Sequence, residues 1–121
     1  MRTPILVGLL GVALSSGLAH EKHAGKKVTF TAQVVDTACY LGHDSQGEKH
    51  LDCARTCAKE NIPLALLDVK TRIVYLPIAM NHKNANAPLL PYIEKRVKVT
   101  GVVMEKGGMK GIVIDKVEAA E

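Results

Sequence analysis

From Val28 the chain alternates between apolar and polar side chains. Val28, Phe30, Ala32 and Val34 share one face, and Thr29, Thr31 and Gln33 the other. A period of two in a run rich in β-branched residues predicts a half-buried strand. The same texture returns in Leu64–Val69 and Arg72–Ala79, two strand-like runs joined by a tight turn near Lys70 and Thr71. It returns again in Arg96–Met104 and Lys110–Val117, where Gly107 and Gly108 supply the turn of a hairpin. Between these strands the period changes. His50–Asn61 has no internal Gly or Pro, carries Ala54 and Ala58 one turn apart, and meets Pro63, which predicts a helix stopped by that proline. Residues 42–50 are polar and turn-forming and read as a loop. Asn81–Leu90 is polar and then Ala/Leu-rich, which predicts a loop and a short helix ended by Pro91.

The order is strand, inserted loop and helix, two strands, short helix, two strands. It predicts a mainly β fold: a five-stranded OB-like Greek-key barrel with a helical insertion at 37–62, between strands 1 and 2, and a short helix before strand 4. The closing segment RVKVTGVVMEKGGMKGIVIDKV (96–117) resembles the last strands of small exported bacterial OB-fold domains, and the resemblance covers roughly residues 26–36 and 64–118. It implies the fold more than any activity. The insertion then occupies the first inter-strand connection, which OB folds often use for ligands.

The N-terminus has a different texture. Arg2 precedes an apolar run, Ile5–Leu14, and small residues from Ser15 to Ala19 follow. This is the layout of a secretory signal peptide over residues 1–19 with cleavage after Ala19, and the run is too short to span a bilayer. The expectation is an exported protein, in a bacterial periplasm, whose mature chain is a single OB-like domain over residues 20–121 without a transmembrane segment. Residues 20–27 are polar and read as a lead-in. The composition, with 16 basic against 12 acidic residues and a net charge of +4, is mildly basic and mixed in sign. With one Phe, three Tyr and no Trp to stack on bases, the expectation is no nucleic-acid partner. No nucleophile elbow, phosphate loop or H-E-x-x-H motif occurs, so hydrolase chemistry has no anchor in the sequence and the expectation is a non-enzyme.

The chemistry concentrates in the insertion. All three cysteines, Cys39, Cys53 and Cys57, fall there together with His43 and His50. In an oxidising compartment an odd number of thiols cannot pair fully within one chain, which leaves one free, shared with another exported protein, or held by a metal. On a helix from His50, Cys53 lies at about −60° and Cys57 at about −20°, so the three share one face. With Cys39 opposite them they form a Cys₃His set suited to zinc, and His43 is the alternative imidazole. Thiolate and imidazole also suit copper.

Two other readings of the cluster stand beside the metal. One is a structural disulfide from Cys39 to Cys53 or Cys57, with a spare thiol. The other is thiol–disulfide redox or sensing work, although C-x-x-C is absent. Met80 and His82, with Met104 and Met109, resemble the methionine and histidine usage of the periplasmic copper chaperones of the Cus efflux system. That likeness implies copper, but the tryptophan of that family has no counterpart here. His20, the first residue after the expected cleavage, is a further copper-chelating candidate beside His23.

Overall fold

A computed structural model describes residues 25–121. The expected signal segment, His20 and His23 lie outside the described residues.

Five strands close into a barrel: β1 (Lys26–Asp36), β2 (Leu64–Asp68), β3 (Val74–Pro77), β4 (Arg96–Lys106) and β5 (Met109–Ala119). Around the barrel the order is β1-β2-β3-β5-β4, and β4 returns to pair with β1. Every pairing is antiparallel except β3 with β5, which is parallel through Leu76 and Pro77. The architecture is mainly β and consistent with an OB-like barrel, as the alternation predicts. Among the described residues no helix is long and apolar enough to cross a membrane.

Closure follows from the side chains. Ala32, Val34, Leu64, Leu66, Val97, Val99 and Ile112 point inward and are fully buried, with Leu89 and Ile93 filling in from the segment before β4. Each fully buried Leu or Val contributes roughly 1.5–3 kcal/mol relative to exposure. A second, smaller cluster of Val35, Ala65 and Leu67 lies on the outside of β1 and β2, with Tyr40, Val74 and Leu76 against it. Val34 and Val35 are therefore both buried, on opposite faces. The end of β1 is covered on both sides, and Asp36 follows it into the interior at 1% exposure.

The insertion departs from the expectation of one loop and one helix. It contains two helices, α1 (Thr37–His43) and α2 (Leu51–Lys59), and Glu48–His50 forms a 3-10 turn leading into α2. The reason is a cap. Asp36 has extended backbone, and its carboxylate accepts the Cys39 N–H at 3.0 Å, satisfying one of the free donors of a new helix. Asp44, in the left-handed region at φ 52°, ends α1 by donating its N–H to the Cys39 carbonyl. Most of 42–50 is thus ordered backbone between two helices. Ala54 and Ala58 of α2 join the barrel core, so α2 lies over the end of the barrel where Asp36 emerges.

Two further boundaries shift. The third strand starts at Val74 instead of Arg72, because Arg72 takes φ 62° and donates to the Asp68 carbonyl in the turn. Pro91 lies inside a 3-10 segment, Ala87–Tyr92, instead of ending it. A short 3-10 turn has few N–H···O bonds for a proline to break. Asn86 holds this segment to the barrel: its Oδ1 accepts Leu64 N–H at 2.9 Å, and its Nδ2 donates to the Ile62 carbonyl at 3.0 Å.

Candidate metal centre

Three elements deliver the cluster. The end of β1 carries Asp36, the first turn of α1 carries Cys39, and α2 carries Cys53 and Cys57, with His50 as the residue capping its start. The fixed points are the β1–β2 register, which pairs Asp36 with Leu64, and the Thr37 N–H and hydroxyl, which both donate to the Pro63 carbonyl. These tie the start of α1 to the end of the α2–β2 link, so the two helices face each other across the barrel end.

The sulfurs of Cys39 and Cys53 are 3.8 Å apart, and all three thiols are free. Two thiolates on one tetrahedral ion with zinc–sulfur bonds of about 2.3 Å stand about 3.8 Å apart. The ligand atoms of Cys39, His50 and Cys53 lie within 4.8 Å of one another. A second set, Asp36, Cys39 and Cys57, meets the same limit. Cys39 belongs to both. Cys57 falls with Asp36 and Cys39, not with His50 and Cys53. His43 is exposed at the end of α1 and joins neither set. Met80 and His82 are exposed in the segment after β3, and Met109 is exposed at the start of β5.

Sequence reasoning missed Asp36 and Glu94. The signal for Asp36 was its position three residues before Cys39, the spacing of a helix cap. Glu94 left no such signal. It sits at φ 58°, is 6% exposed, donates its N–H to the Val34 carbonyl, and accepts the Gly47 N–H on Oε2. It thereby holds the loop that leads to His50.

The electrostatics are those of groups that oppose one another's ionisation. Burial pushes the Cys39 thiol up, and the Cys53 thiol and the Asp36 carboxylate push the same way. The Cys57 thiol is pushed up to about 12, first by the Asp36 carboxylate, which favours the protonated sulfur, and then by burial. Burial also raises the Glu94 carboxyl, against the Gly47 N–H and the charge of His50, which pull it down. Among the described residues four buried side-chain atoms lack a hydrogen-bond partner: Gln33 Nε2, Glu94 Oε1 and, on residues of the two sets, His50 Nε2 and Asp36 Oδ2. Buried polar atoms are almost always satisfied, so the two on the sets are out of place in a site made only of protein. A cation held there would supply a partner to the set residues and relieve the opposition among their anionic forms. The residues present fit a metal ion in their chemistry, spacing and unsatisfied atoms. No protein-family model matches the chain, and comparison with curated proteins and with solved structures gives no match.

Proposed function

We propose that this protein is an exported, non-catalytic metal-binding module that holds zinc or copper through the Cys/His cluster of its barrel insertion. The observation that carries the reading is the convergence of Cys39, Cys53 and His50, with sulfurs 3.8 Å apart and a buried, unpartnered His50 Nε2 beside them. Asp36 comes from the end of β1, Cys39 from α1, and His50, Cys53 and Cys57 from the start and body of α2, so an ion held between them clips α2 to α1 and to the barrel end. Cys53 is exposed, which gives another exported protein access to the metal or the thiol. A periplasmic location rests on the sequence of residues 1–19.

The test is metal analysis of the full chain expressed with its leader and recovered from a bacterial periplasm. Zinc or copper should co-purify with the wild type and fall in Cys53→Ser. A wild type that carries neither and takes up neither after reduction refutes the reading.

One observation favours a second reading: the same 3.8 Å separation brings two free thiols close enough to be oxidised to a disulfide. A reactive thiol needs a lowered pKa, whereas Cys39 and Cys57 are both raised, so this reading ranks behind metal binding. Thiol titration with and without reductant separates them: a wild type isolated with two thiols oxidised and no metal bound supports the redox role.

A further inference from the structure

We infer that the cluster holds two divalent cations of the zinc class instead of one, bridged by the Cys39 thiolate. The outer ion sits on Cys39, His50 and Cys53, and the inner ion on Asp36, Cys39 and Cys57. The inference rests on the metal-binding reading above and deepens it.

Three independent features point to two ions. The first is spacing. A single Cys₃His ion needs four ligand atoms mutually within about 3.5–3.8 Å, given metal bonds of about 2.0–2.3 Å. Here the close sets divide in two: Cys57 groups with Asp36, His50 groups with Cys53, and only Cys39 belongs to both. Thiolate sulfur has lone pairs enough to bridge two ions.

The second is the pair of unsatisfied atoms. Each set contains a residue with one: His50, through Nε2, in the outer and Asp36, through Oδ2, in the inner. Asp36 is 1% exposed, and its Oδ1 alone performs the helix cap. Capping therefore leaves the second oxygen unexplained, and a single ion on the outer set leaves it unexplained as well.

The third is charge. Three thiolates and one carboxylate carry four negative charges, with His50 neutral as a ligand. A dication on the outer set offsets the Cys39 and Cys53 thiolates and leaves the buried Asp36 carboxylate without a counter-charge, whereas a second ion on the inner set compensates it together with a Cys57 thiolate. Burying unpaired charge is among the costliest arrangements a fold can hold. The carboxylate also selects the class of ion. Oxygen is a poor ligand for cuprous copper and a normal one for zinc, which accepts sulfur, nitrogen and oxygen together. The two positions differ in access, because Asp36 and Cys39 are buried while Cys53 is exposed.

The experiment titrates the reduced full chain with zinc alone, counting bound ions by native mass spectrometry and by competition with a chromophoric chelator. Two zinc ions per wild-type chain are expected, one in Cys53→Ser, one in Cys57→Ser and one in Asp36→Asn, with loss of tight binding of both in Cys39→Ser. The wild-type count needs no variant to fold, so it decides the stoichiometry alone. One zinc per wild-type chain overturns the two-ion arrangement and leaves the metal-binding reading standing; none overturns both. Two zinc ions retained in both Asp36→Asn and Cys57→Ser overturn the inner ligand set.

Discussion

Replacing Asp36 with Asn separates two roles of one side chain. Oδ1 caps α1 through the Cys39 N–H at 3.0 Å, and an asparagine caps a helix equally well. Oδ2 is buried without a hydrogen-bond partner, and the carboxylate as a whole favours the protonated Cys57 thiol. An unsatisfied buried polar group costs about 1–3 kcal/mol. An amide at this position removes the charge and keeps the shape and the cap. The amide NH2 at the Oδ2 position is itself without a partner, so in chelator Asp36→Asn should match the wild type to within about 1 kcal/mol. For a domain of this size that is a shift of no more than about 4–8 °C in Tm. Zinc should separate the two. An ion present at one hundred times its Kd adds about 2.7 kcal/mol to the folded state, and the variant lacks the ion that Asp36 holds. Urea unfolding followed by circular dichroism, in chelator and in zinc, reads both halves from shifts in midpoint at constant slope. A loss of more than about 1 kcal/mol in chelator would refute the reasoning, because the charged carboxylate would then be stabilising the metal-free fold as an ordinary part of its hydrogen-bond network.

Asn86→Ala removes both bonds that tie the segment before β4 to the α2–β2 link, leaving the Leu64 N–H and the Ile62 carbonyl without partners. The expected loss is about 2–4 kcal/mol in denaturant unfolding, from two unsatisfied groups at roughly 1–2 kcal/mol each. Asp68 sets an acid limb. Burial raises its carboxyl, but N–H bonds from Lys70 and Thr71 and the Thr71 hydroxyl outweigh that, and the net shift is below the ordinary 3.8. A lowered carboxylate contributes stability that is fully present above pH 3.8 and disappears as pH falls through the folded-state value. Asp68→Asn should therefore lose less stability than the wild type between pH 4 and lower values. Equal acid slopes in the two proteins would show that Asp68 titrates alike in the folded and unfolded chains.

The barrel was legible because its signal is local. Alternation in Val28–Val34 and in the Arg96–Val117 hairpin marks β1, β4 and β5, and it is clearest in β4, where Val97, Val99 and Gly101 are buried between more exposed neighbours. The cluster was legible as a set of residue types, and the α2 spacing as a helix. The division of that cluster was not, because it depends on where α1 ends up. Seven residues preceded by a capping aspartate make a weak helix signal, and the helix is held by burial of Cys39 and by Tyr40 packing on the outer cluster. Asp36 continues the inward side of β1 after Ala32 and Val34, a position where the alternation calls for an apolar residue. A carboxylate there breaks the local rule, and such breaks mark functional sites. Glu94 was invisible for a different reason: its role comes from a positive φ and a bond to Gly47, forty-seven residues away.

The position of the site explains its chemistry. β1 is an eleven-residue strand that pairs with β4 along Lys26–Gln33 and with β2 along Ala32–Asp36, so the β2 ladder fixes the backbone that presents Asp36. α1 starts from that strand, and α2 is fixed against the core by Ala54 and Ala58. Ligands on such elements are preorganised, so a cation meets them without first ordering a loop. The same rigidity holds groups together that repel when ionised, which keeps the buried thiols protonated and makes them poor nucleophiles. Positive charge placed between these side chains would relieve that opposition, whereas a nucleophilic role would need the Cys39 and Cys57 thiols lowered instead of raised.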